Sequence, residues 1–92
     1  MNEQERGQLR RDDARAIVLG YLHDRPSVAQ SADTMGRVLK ARGHDFTHEE
    51  IRDACHYWEG TGDVEKHYVQ GGGTPHFRIS SLGINTFERS RV

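Results

Sequence analysis

Apolar positions recur along the chain with two different periods, and the change of period divides it. Between Arg10 and Arg25, the residues Ala14, Ile17, Val18, Tyr21 and Leu22 fall at i, i+3, i+4, i+7 and i+8, the spacing that lines one face of a helix. Leu19 lies off this stripe and widens the apolar arc, as expected of a helix packed on more than one side. Asp12 and Asp13 suit the early part of the helix, and Pro26 bars its continuation. Residues 1–9 are polar and interrupted by Gly7; they read as a flexible N-terminal segment, frayed or loosely helical. Residues 27–30 read as a short extended stretch. Ser31 can then cap a second helix, with Asp33 in its first turn, Met35, Val38 and Leu39 on its apolar side, and Gly43 as its stop.

The third helix has the sharpest start. Thr47 with Glu50 three residues later forms a capping box, and Phe46 with Ile51 forms a hydrophobic staple. Ile51, Ala54, Cys55 and Trp58 make the buried side, and Gly60 and Gly62 close the helix. Beyond Gly62 the period falls to two. Val64–Val69 reads as a strand with Val64 and Tyr68 on one face, and Pro75–Ser80 as a second with Phe77 and Ile79 on one face. Gly71, Gly72 and Gly73 between them make a flexible hairpin tip. Ser80 or Ser81 caps a short last helix from Leu82 to about Arg89, anchored by Phe87 with Leu82 and Ile84 nearby. A two-stranded hairpin is not stable alone, so its apolar face must lie on the helices in one α+β domain over residues 10–90.

Composition narrows the function. With 92 residues, 34% hydrophobic and 29% charged, the chain suits one soluble domain with a modest core. The net charge of −1 provides no global attraction to nucleic acid or to an anionic membrane, so any such attraction must come from local patches. No apolar run reaches the roughly 18–20 residues of a membrane span. The polar N-terminus lacks a signal-peptide core. Cys55 is the single cysteine, which forbids an intrachain disulfide. Together these predict a cytoplasmic protein.

Candidate chemistry is sparse. His44, His48, Cys55 and His56 cluster in sequence, but Cys55 points to the core side and His56 away, so they do not converge as a tetrahedral metal site requires. Cys55 and His56 are adjacent and do not face each other on a helix, which removes a nucleophile pair. The glycine run is followed by a strand, whereas a phosphate cradle needs a helix start. No enzyme, metal, cofactor or small-molecule substrate is expected.

The order helix, extended segment, helix, helix, strand, glycine tip, strand, helix resembles a winged helix-turn-helix domain: a three-helix core with a two-stranded antiparallel wing and a short C-terminal helix. The connection Ala41-Arg42-Gly43-His44-Asp45-Phe46-Thr47 looks like its turn between second and third helices. Trp58-Glu59-Gly60-Thr61-Gly62-Asp63-Val64 resembles its exit into the wing. Ile79-Ser80-Ser81-Leu82-Gly83 resembles the apolar-Ser/Thr-x-x-Gly pattern after the second wing strand. More narrowly, Gly43-His44, Thr47 and Tyr57-Trp58-Glu59 resemble small winged-helix proteins of Mu-like phages and prophages.

That resemblance implies a DNA-binding regulatory or accessory factor whose third helix enters the major groove, with Glu49, Arg52, Asp53 and His56 facing the bases. Residues 48–60 depart from the pattern, holding four carboxylates and one arginine against a duplex with a charge every ~1.7 Å. Basic residues elsewhere must then bind the phosphates: Arg37 and Lys40 on the second helix, Arg52 and His56 on the third, Lys66, His67, His76 and Arg78 on the hairpin, helped by the N-terminal arginines. The alternative is a winged helix used for protein contact or self-association, with Glu49, Asp53 and Tyr57 forming the interface.

Overall fold

The computed structural model describes residues 2–69 and 72–90. Four helices and three strands follow in the order α1 (Glu3–His23), β1 (Gln30–Ser31), α2 (Ala32–Ala41), α3 (His48–Thr61), β2 (Val64–Tyr68), β3 (Pro75–Ile79) and α4 (Ser81–Ser90). This is a winged helix with an antiparallel sheet ordered β1-β3-β2. No described helix is long and apolar enough to cross a membrane.

Two elements differ in extent from the sequence reading. The helix expected from Arg10 begins at Glu3, where the Asn2 side chain accepts from the Glu5 backbone N–H. Of the two forms expected for the N-terminal segment, the helical extension is the one found from Glu3 onward, and it carries no core residue. The expected two-stranded wing is a three-stranded sheet, because Gln30 pairs with Phe77 and Ser31 with His76. A two-residue strand shows no alternation to read, and the stretch expected to be extended from Ser27 forms its ladder only at Gln30 and Ser31. Burial fixes this strand: the Tyr21 hydroxyl donates to the Gln30 side-chain carbonyl inside the fold.

The core joins Ala14, Val18, Leu19, Tyr21 and Leu22 of α1 to Met35 and Leu39 of α2, Ile51, Ala54 and Cys55 of α3, and Val64, Phe77 and Ile79 of the sheet. Ile17, Val38, Phe46, Trp58, Ile84 and Phe87 pack on its margin. Trp58, expected in the core, is half-buried, because its indole N–H donates to the Arg15 carbonyl at 2.8 Å. Tyr68, expected beside Val64 on the buried face, is 60% exposed. It keeps the parity of Val64, but the hairpin there projects beyond the helices. Gly71, part of the expected flexible tip, lies outside the described residues.

The turns follow the sequence closely. The capping box is complete: Glu50 N–H donates to Thr47 Oγ1 at 3.1 Å and Thr47 N–H to Glu50 Oε1 at 2.8 Å. Gly43 takes φ 92° and Gly62 φ 86°, the left-handed conformation that glycine enters without a Cβ penalty. Asp63, next in the chain, is buried. Its carboxylate accepts from the Thr61 hydroxyl and, at 2.6 Å, from Thr86 of α4. Its carbonyl accepts from Ser80 N–H at 2.9 Å. Ser80 Oγ accepts from Gly83 N–H and donates to the Gly62 carbonyl.

A Cβ on Gly83 would sit 2.0 Å from the Asp63 carbonyl oxygen, whereas one on Gly60 would meet nothing within 4 Å. Gly83→Ala should therefore lower unfolding free energy by about 2–3 kcal/mol or more, and Gly60→Ala should raise it by about 0.5–1 kcal/mol. Urea denaturation of the two variants checks both signs.

Candidate nucleic-acid interface

The buried side of α3 is set by Ile51, Ala54 and Cys55. The opposite side is left to solvent: His48, Glu49, Arg52, Asp53, His56 and Tyr57 are all exposed. At 100° per residue this surface divides into three lines. Arg52, His56 and Glu59 turn toward the wing. Glu49 points straight out, and Asp53 lies between it and the α1 side, lining a small cleft with Arg11 and Arg15. Glu50 and Tyr57 turn toward α1.

The α1 side is closed by intramolecular contacts. Arg10 grips the Glu50 carboxylate through Nε and, at 2.9 Å, through Nη2, which also donates to the Asp45 carbonyl at 2.8 Å. The Arg15 guanidinium lies 3.8 Å from the Tyr57 ring centroid. The ring expected as a protein-contact candidate is thus 41% exposed but covered on one side by a cation. Arg10 and Arg15, expected to help with phosphates, instead hold α1 to α3.

The cations expected at a DNA surface do not form one patch. Arg37 and Lys40 lie on the outer side of α2, where Arg37 pairs with Asp33 at 3.0 Å. On the hairpin, Glu65 opposes Arg78, Lys66 opposes Phe77 and His67 opposes His76. Directly opposed residues share a face and successive residues alternate. Lys66 and Tyr68 therefore share the face of Phe77, while Glu65, His67, His76 and Arg78 share the other. No single ligand surface reaches all four hairpin candidates. Arg78 donates to Glu65 at 3.0 Å, and the same carboxylate oxygen lies 3.2 Å from His67 Nε2. These contacts hold Glu65 below the usual carboxylate range, Arg78 first and His67 second.

On the Phe77 face the wing meets α3. The His56 ring stands edge-on to Phe77 with centroids 5.6 Å apart. Glu59 lies between His56 Nδ1 and Lys66 Nζ, 3.4 Å from each. Sequence reasoning left out Glu59 and Tyr68 from this surface. The strand register supplies the missing signal, since Lys66 and Tyr68 have the parity that faces α3.

The cysteine and histidines separate as their helical positions require. Cys55 is fully buried, its thiol pushed up to about 12 by burial, which keeps it protonated and unreactive. Among the described residues no group of three or more His, Cys, Asp or Glu is placed to hold a metal ion. A cleft of about 290 Å³ lies between α1, α3 and α4, lined by Leu19, Trp58 and Phe87 with Arg15 at its edge.

Glu50 offers a pH test. Its carboxyl is held below the ordinary value of 4.5 by the Arg10 hydrogen bond first, against the opposing effect of burial. A depressed folded-state pKa contributes stability that is present above the unfolded value and is lost as pH falls through the folded one. Glu50→Gln keeps the capping box but removes the charge. It should therefore be less stable than wild type at pH 7, with the gap closing as pH drops below about 4. Urea midpoints between pH 7 and 3 measure that convergence.

No family model matches the chain, and no curated protein matches it. Among solved structures the fold is similar to that of a point mutant of MepR from a multidrug-resistant S. aureus clinical isolate, with a TM-score of 0.67 at 14% identity. The match covers 84% of this chain and 53% of that one, so the chain spans about half the length of MepR. At that identity the likeness establishes the winged-helix fold and nothing further about either protein's ligands.

Proposed function

We propose that the chain is a non-enzymatic DNA-binding winged helix of regulatory or accessory type. The observation that carries this is the uncovered outer side of α3. It stands beside a wing whose α3-facing strand surface adds Lys66 and Tyr68. Arg52 on that side has no ion-pair or hydrogen-bond partner among the described residues. An exposed arginine on a reading helix suits bidentate contact with guanine. The winged-helix fold shared with MepR supports the reading by analogy. The phage or prophage type rests on the short motifs Gly43-His44, Thr47 and Tyr57-Trp58-Glu59 alone.

Glu49 and Asp53 decide how such binding must behave. Both are exposed and repel phosphates across a screening length of about 8 Å. Either can accept from a cytosine amino group. Nonspecific affinity is then low, because the cations on this side are few: Arg52 and Lys66, with the His56 ring beside them. About three phosphate contacts correspond to a log–log salt slope near −2.7.

Binding to random duplex DNA over a salt series from about 50 mM, with native mass on the same sample, tests the reading. Measurable affinity with a slope of about −2 to −4 is expected, and Arg52→Ala should weaken binding several-fold. No binding at the lowest salt, or a slope near zero, rejects it.

A second reading is favoured by the same two carboxylates: Glu49 and Asp53 have no partner among the described residues and would suit a basic protein surface or a second copy. Reversing both to lysine should then slow association, whereas on the DNA reading the same change tightens duplex binding.

A further inference from the structure

The contact between α3 and the wing sets a carboxylate between two side-chain nitrogens. Glu59 presents one oxygen to His56 Nδ1 of its own helix and the other to Lys66 Nζ of β2, each at 3.4 Å. A tight charge-assisted bond is about 2.7–2.9 Å, so both contacts are loose. The Arg78–Glu65 pair on the other sheet face is shorter, at 3.0 Å. Lys66 Nζ also lies 5.9 Å from the Tyr68 ring centroid, at the exposed end of the hairpin. Arg52 precedes His56 by one turn on the same side of α3. Arg52, His56 and Lys66 thus run as a line of side-chain nitrogens along the α3–β2 side, with the Glu59 carboxylate set into it.

We propose that His56 and Lys66 form a seat for a backbone phosphate of duplex DNA, and that the Glu59 carboxylate fills this seat in the free protein. The inference rests on the DNA-binding reading above and assigns the residues that would carry its backbone contact. A phosphodiester matches a carboxylate in the relevant respects: one negative charge and two free oxygens, able to accept from the same two donors. DNA binding is then an exchange. Phosphate takes Lys66 and His56, and Glu59 turns to solvent. Because Lys66 is neutralised before binding, nonspecific affinity is held down, and Glu59 acts as a built-in competitor. His67, His76 and Arg78, on the opposite sheet face, take no part.

The test is equilibrium binding of wild type, Glu59→Gln, Lys66→Gln, the double variant and Glu65→Gln to random-sequence duplex across a salt series. Glu59→Gln should bind about three- to tenfold tighter, with a log–log salt slope little changed, because both proteins contact the same phosphates once bound. Lys66→Gln should weaken binding, and the double variant should fall to its level, since the gain acts through Lys66. Glu65→Gln, which removes the same charge from the other sheet face, should change affinity little. The proposal is overturned if Glu59→Gln binds no tighter, if its gain survives Lys66→Gln, or if Glu65→Gln tightens binding equally. Wild-type binding with an unchanged Glu59→Gln removes the phosphate seat alone. Absence of duplex binding in every variant at about 50 mM salt removes the DNA reading and the seat together.

Discussion

The structure depends on one junction, where α3 stops and the hairpin begins. Gly62 turns the chain at φ 86°, and Asp63 then goes inside. A carboxylate taken out of water costs several kcal/mol unless its oxygens are bonded. Here the hydroxyls of Thr61 and Thr86 satisfy them. Thr86 belongs to α4, so satisfying Asp63 fixes the last helix to the end of α3. The Asp63 carbonyl accepts from Ser80, and Gly83 packs against that same carbonyl because it has no Cβ. Thr61, Ser80, Gly83 and Thr86 converge on one residue. The angle at which the wing leaves the helical core follows from that convergence.

That angle determines what the wing can touch. Once Val64 is buried beside Asp63, strand parity puts Lys66 and Tyr68 on the α3 side and Glu65, His67, His76 and Arg78 on the other. The same junction places Lys66 of β2 within reach of Glu59, three residues before Gly62. A second restraint works at the opposite end of α3, where Arg10 ties Glu50 and the Asp45 carbonyl to α1. The helix is therefore clamped at its start by an ion pair and at its end by a buried carboxylate. Between these ends Glu49, Arg52, Asp53 and His56 are left exposed. Charge on this surface is largely counted twice if it is read from composition. Glu50, Glu59, Glu65, Lys66, Arg37 and Arg78 all have ionic partners within the fold, which leaves Arg52, Glu49 and Asp53 as the charges on the outer side of α3 without one among the described residues.

Helix identities and stops were legible because their causes are local. The spacing of Ala14, Val18, Tyr21 and Leu22, the capping box at Thr47 and Glu50, and the glycines at 43 and 62 all act over a few residues. The winged-helix architecture followed from the order of those elements. The pattern Ser80-Ser81-Leu82-Gly83 was visible as a motif, but its reason was not, since that lies in Asp63 some twenty residues earlier. β1 escaped because two residues carry no period. Residues 1–9 stayed open between a frayed and a helical form because polar residues without a stripe give no sign of whether they stay wound.

The sequence by itself determined the core, the element order and the acidity of α3, because apolar periodicity and capping act between near neighbours. It also determined that Cys55 would be inert, since its place on the stripe of Ile51 and Ala54 puts it inside. Tertiary structure alone decided which charges were already paired and which face of the wing each one occupied. Those outcomes depend on contacts across the fold, such as Arg10 with Glu50, Glu59 with Lys66 and β3 with β1. The energy of each such contact is set by a distance that no linear spacing contains.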